Sequence, residues 1–127
     1  MARTAIQPSS LPDPRPRFTT AWKVGNTIYV AGQTASEGAG VVGPGDVKVQ
    51  TRTALQRIQT ILEAAGASMR DVVKTTVYVT DMRYREPYGE VRQEFWPADP
   101  PASTLLQIVA LATPGALIEI EAIAVLD

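Results

Sequence analysis

The sequence predicts an α+β domain whose elements run ββ-α-β-α-ββ, a mixed β-sheet carrying two helices on one face. Three observations predict it. Between Asp46 and Gly66, the apolar residues Val47, Ala54, Leu55, Ile58, Ile61, Leu62 and Ala65 fall on a single helical stripe. The run Val72–Thr80 is rich in β-branched residues, which suit a pleated, half-buried surface. Tyr84, Tyr88, Val91 and Phe95 then return to helical spacing, ahead of an alternating run over Leu117–Leu126.

Each element has its own signal. Residues 7–16 hold four of the ten prolines, and each proline fixes φ and removes a backbone donor. Residues 1–17 are therefore expected to be a proline-rich arm leading into a domain over 18–127. Phe18–Lys23 and Thr27–Gln33 flank Gly25-Asn26, a pair that tolerates positive φ and suits a tight hairpin. Ile28 and Val30 face one way in the second strand; Thr27, Tyr29 and Ala31 face the other. Residues 34–45 are glycine-rich and read as a flexible loop, lacking the lysine and Ser/Thr of a phosphate loop. Asp46 offers an N-cap for the long helix and Gly66 a C′ residue. Pro87 fits the first turn of the second helix, where its missing N–H costs little. Thr104–Ala110 and Leu117–Leu126 are the last two strands.

Composition narrows the chemistry. A chain of 127 residues is one domain, since single cores usually run from roughly 100 to 200 residues. There are no cysteines and no histidines. Disulfides, thiolate sites, the commonest metal ligand and the Ser-His triads are thereby excluded, and neither metal nor cofactor is expected. Any catalysis rests on carboxylates, tyrosine, lysine, hydroxyls, backbone amides or water. The net charge of −1 speaks against a nucleic-acid surface. No apolar run reaches the roughly 20 residues of a membrane helix, and no apolar leader follows the early arginine. The expected location is cytoplasmic, with no membrane or nucleic-acid partner.

Two helices cover only one face of a sheet this size. Ile118, Ile120, Ala122 and Ala124 make an apolar face suited to them, while Leu117, Glu119, Glu121, Ile123 and Val125 line the other. That second face is too apolar to lie bare and too charged for an ordinary core. Self-association with a site embedded in the interface is the reading that fits.

Three stretches carry a resemblance: GASMRDVVKTTVYVTDM at 66–82, PPASTLLQ at 100–107 and GALIEIEAIAV at 115–125. With WKVGNTIYVAGQ at 22–33, they are similar to the RidA (YjgF-like) family, reactive-intermediate deaminases that hydrolyse enamines and imines. The similarity runs from about Phe18 to Val125. It implies a chorismate-mutase-like subunit, assembled as a homotrimer with pockets between neighbouring subunits.

The resemblance also assigns site residues. Glu119 matches the glutamate that orients the hydrolytic water. Gly32, beside Ala31, matches the glycine of the pocket-lining strand, and Thr104 a small hydroxyl residue whose backbone helps hold substrate. Phe18 stands where the family has tyrosine, and Gly89 where it has asparagine. Ser103 stands where it has the arginine that grips the substrate carboxylate. A guanidinium presents a planar fork to a carboxylate, whereas a serine hydroxyl offers one uncharged donor. The chain therefore resembles a branch lacking that arginine, and standard deamination of 2-iminopropionate is not expected. Arg15 and Arg17 are the candidate replacement cations. Two readings follow: an enzyme acting on another imine, enamine or related C–N substrate with Glu119 as its catalytic group, or a non-catalytic trimer that binds a metabolite.

Overall fold

The computed structural model describes residues 2–127. Its strands are β1 (Arg3–Ile6), β2 (Ala21–Val24), β3 (Thr27–Gln33), β4 (Ser36–Glu37), β5 (Gly40–Val41), β6 (Val72–Val79), β7 (Ala102–Gln107) and β8 (Ile118–Val125). The helices are α1 (Val47–Ala64) and α2 (Arg85–Phe95). Six strands form one mixed sheet in the order β1-β2-β3-β8-β6-β7. Every pair is antiparallel except β6 and β7, which α2 connects in parallel.

The long helix begins and ends where its capping residues place it. Asp46 accepts a hydrogen bond from the Val49 amide at 3.1 Å, satisfying one of the free N–H groups of the first turn. At the other end Gly66 takes φ +80°, and the amides of Gly66 and Ala67 return to the carbonyls of Glu63 and Leu62. This paired closure needs a residue tolerant of the left-handed region. Leu55, Ile58, Ile61 and Leu62 are fully buried against Ile28, Val30, Val77, Val79, Ile118 and Ile120. The helix-facing side of β8 is buried from Ile118 to Ala124, as its alternation predicts.

Four features differ from the sequence reading. Arg3–Ile6, inside the expected arm, pairs with β2 as an edge strand and carries Arg3 4.0 Å above the Trp22 ring. Four residues have little pattern of their own, so only their pairing identifies them. The first hairpin strand starts at Ala21, after a turn-rich segment, rather than at Phe18. The glycine-rich loop contains a small antiparallel hairpin, β4 with β5, that turns at Gly38. Finally, β7 begins at Ala102 and ends at Gln107, because its limits follow parallel register with Lys74–Val79 rather than its own composition.

Gln50 is a buried anchor that the apolar stripe conceals. It is fully buried, donates from Nε2 to the carbonyls of Gly43 and Gly115 at 3.1 Å each, and accepts the Leu117 amide at 2.8 Å. One side chain thus ties the glycine-rich loop to the entry of β8. Gln50→Leu keeps the volume and orphans all three backbone groups. Since each unmade buried bond costs roughly 1–3 kcal/mol, chemical denaturation should show a loss of at least about 2 kcal/mol.

Candidate functional site

Glu119 lies on β8 between Ile118 and Ile120, so its side chain leaves from the face that the helices do not cover. On the neighbouring strand the β3–β8 register shifts between Val30 and Gln33. This irregularity brings Gly32 against the Glu119 side chain: a Cβ on Gly32 would stand 2.6 Å from Cδ and 2.9 Å from Oε2. No residue larger than glycine fits there without displacing the carboxylate. Ala31 lies in the same irregular segment and gives its amide to the Thr20 carbonyl at 2.9 Å.

Glu119 lines a cavity of about 300 Å³ together with Gly32, Phe18, Arg17, Arg57 and the arm residues Leu11–Pro14, among others. The arm is therefore a wall of the site. Gln7 fastens it by donating to the carbonyls of Pro8 and Leu11 and accepting from the Thr20 hydroxyl. Phe18 is half-exposed over the cavity. Burial pushes the Glu119 carboxyl above the usual carboxylate range, and the neighbouring Glu121 charge pushes the same way. Glu121 itself accepts a hydrogen bond from the Tyr78 hydroxyl, which raises the Tyr78 pKa.

The candidate cations separate. Arg15 commits Nε and Nη2 to Asp13, holding that carboxyl at about 2, and is not among the lining residues. Arg17 does line the cavity. Arg57, which the sequence reading did not consider, lines it as well and gives Nη1 to the Thr34 carbonyl at 2.8 Å. Its spacing of seven residues from Gln50 puts it on the flank of the core-facing stripe. That position was the signal available for it.

Ser103 and Gly89 belong to a different place. Ser103 is in register with Thr75, a buried residue of the helix-facing side, and its Oγ accepts from the Thr75 hydroxyl at 3.0 Å. Glu119 is in register with Tyr78, which points the other way. Within one chain the two side chains leave opposite faces of the sheet, with β6 between their strands. Thr104 projects from the uncovered face, where Lys74 donates to its hydroxyl at 2.7 Å. Gly89 is on α2 beside the buried Tyr88. Burial raises the Tyr88 pKa, while the Ser103 hydroxyl and the Arg92 charge act in the opposite sense.

The candidate residues thus fall into two groups, a carboxylate half with Phe18, Gly32 and Glu119, and an edge half on and beside β7 with Gly89, Ser103 and, from the other face of the strand, Thr104. The edge half has no partner strand beyond β7, and Leu106 and Val109 beside it are exposed. Among the described residues, no group of three or more His, Cys, Asp or Glu side chains is placed to hold a metal ion. No helix is long and apolar enough to cross a membrane.

Comparison with known proteins gives a consistent picture. A family model described as endoribonuclease L-PSP matches residues 8–126. RutC family proteins of Pyrococcus abyssi and Pyrococcus horikoshii are 40% and 39% identical, covering 98% and 96% of this chain and 98% and 97% of theirs. Among solved structures, a Mycobacterium tuberculosis member of the YjgF/YER057c/UK114 family is 35% identical with a TM-score of 0.84, covering 98% of this chain and 100% of its own. RidA from an Antarctic Psychrobacter is 32% identical with a TM-score of 0.87, covering 97% and 99%.

Proposed function

The chain belongs to the endoribonuclease L-PSP family of the YjgF/RidA superfamily, and on that premise we propose that it is a homotrimeric enzyme hydrolysing an imine, enamine or related C–N substrate between subunits. The observation that carries this reading is Glu119, a half-buried carboxylate of raised pKa beneath Gly32 in a cavity of ligand size. Membership itself supports a small-molecule role. The net charge of −1 and the absence of histidine speak against RNA as substrate.

In the proposed step Glu119 takes a proton from a water held in the cavity. The oxygen adds to the imine carbon, and as the C=N π-bond breaks the nitrogen takes that proton back from Glu119. The resulting carbinolamine then gives its O–H proton to Glu119, which passes it to the nitrogen as the C–N bond breaks, leaving a carbonyl compound and a free amine. The hydroxyl of a family tyrosine is missing at Phe18, and the carboxylate fork is missing at Ser103. The natural substrate is therefore not 2-iminopropionate. A second reading, a trimer that binds a metabolite without turning it over, is favoured by the same residues, since Phe18, Gly89 and Ser103 all lack the family's polar groups.

Assembly follows from the two half-sites. Glu119 and Ser103 line one cleft only if they come from different chains. Light scattering at micromolar concentration is expected to give about three times 13.7 kDa. A panel of imines generated in place and followed by ammonia or amine release tests turnover. Imines without an α-carboxylate are expected to exceed 2-iminopropionate. A monomer would overturn the composite cleft, and a panel with no turnover would leave the binding reading.

A further inference from the structure

Arg92 lies on α2, one turn beyond Tyr88, and is half-buried. Its guanidinium makes no hydrogen bond to any described side chain or carbonyl, and Nε is the one buried side-chain nitrogen or oxygen without a partner among the described residues. Arg15, Arg52 and Arg57, by contrast, each have an acceptor. Arg52 gives Nε and Nη2 to Glu94 at 3.1 and 2.7 Å, Arg15 gives the same two atoms to Asp13, and Arg57 is held by Thr34. A buried donor without an acceptor is costly and calls for a specific reason, such as a ligand that the group serves.

The surroundings point to that ligand. Gly89 contributes no side chain, and a Cβ there would meet only Arg92 Nη2, at 4.0 Å. The glycine leaves a gap ending on the guanidinium. Both Arg92 and Ser103, which is exposed on the free edge strand, are close enough to the Tyr88 hydroxyl to influence it. A guanidinium is a fork of N–H donors matched to planar anions, and this fork has no anion of its own.

We infer that Arg92 is the anion-binding residue of the edge half-site, supplying from α2, across Gly89, a fork for a carboxylate or phosphate group of the ligand. The inference rests on the proposed cleft only for what that anion is attached to. It places the charge on the helix rather than on β7, so the acid group of the ligand lies farther into α2 than a fork at Ser103 would allow. Selectivity against a short imino acid then reflects where the anchor stands as well as what Ser103 lacks.

The side-chain Nε–H of Arg92 gives a direct reading by nitrogen-15 NMR on the whole protein, its signal identified by its absence from Arg92→Gln. Malonate and inorganic phosphate are the probes. A saturable movement of that signal is expected, and calorimetric titration of the same anions is expected to show affinity at least tenfold weaker in Arg92→Lys, which keeps charge but loses the fork. Movement with malonate alone assigns a carboxylate, and movement with phosphate alone a phosphate. Arg92→Met removes the unpaired donor at similar volume, and its Tm is expected to equal or exceed that of the parent. A signal that neither anion moves overturns the inference, as does binding to Arg92→Gln equal to the parent or a marked fall in Tm for Arg92→Met. If Glu119→Gln abolishes turnover while the titration stays flat, the anchor fails and the catalytic reading stands. A saturating titration in a protein that turns over no imine gives the reverse.

Discussion

Replacing Glu119 by glutamine is expected to lower turnover of the true substrate by about 10²–10⁴, the usual worth of a positioned general base. The amide keeps the shape under Gly32 and can still hold a water, but it cannot take the proton. Stability should move the opposite way. The folded-state pKa of Glu119 is raised above its ordinary 4.5, mainly by burial and then by Glu121. The folded protein therefore binds this proton more tightly than the unfolded chain does. Stability from this group is present below 4.5 and is lost as pH climbs through the raised folded value. At neutral pH the ionised carboxylate opposes folding, and glutamine removes that opposition. The parent and Glu119→Gln should differ in Tm most above this window and least at acid pH. Turnover by the parent should fall as acidification protonates Glu119, at a pH above the ordinary carboxylate range. Loss of the assembly in Glu119→Gln would make the residue an interface carboxylate and end its catalytic assignment.

Gly32→Ala should produce the second large effect by geometry alone. The new methyl would lie 2.6 Å from Glu119 Cδ and 2.9 Å from Cγ, distances that ordinary contacts do not reach. The atoms it meets belong to the outer part of a side chain, so the carboxylate swings aside more readily than the backbone gives. Overpacking of this kind typically costs about 1–3 kcal/mol. A displacement of about 1 Å in a catalytic group can cost about 10² in rate, so turnover should fall far more than stability. Combining Gly32→Ala with Glu119→Gln should lower the rate little beyond Glu119→Gln alone, because both changes remove the same function. Rate measurements alongside chemical denaturation check each part. A double variant whose losses multiply would show that Gly32 serves something other than Glu119.

The sequence made the scaffold legible because its elements are local. Asp46, the stripe from Val47 to Ala65 and Gly66 specify α1 through contacts spanning a few residues. The alternation of Ile118, Ile120, Ala122 and Ala124 specifies the buried face of β8 in the same way. Matched motifs brought Glu119, Gly32 and Ser103 to attention. Other features had no local signature. Arg3–Ile6 became a strand only by pairing with Ala21–Val24, and Gln50 became an anchor only when two loops met it.

By itself, then, the sequence determined the fold class and the exclusion of histidine and cysteine chemistry, and its resemblance to a family raised the expectation that Ser103 stands where an arginine would be. Tertiary structure alone decided which of those residues share a place. Register puts Ser103 with Thr75 on the helix-facing side and Glu119 with Tyr78 on the other, so within one chain these candidate residues do not share one pocket. It also decided which cations are free, since Asp13 occupies Arg15 while Arg92 stands without an acceptor. The physical reason is common to both. Periodicity records which face of its own element a side chain occupies, whereas the partner across the sheet or the gap depends on how distant elements are docked.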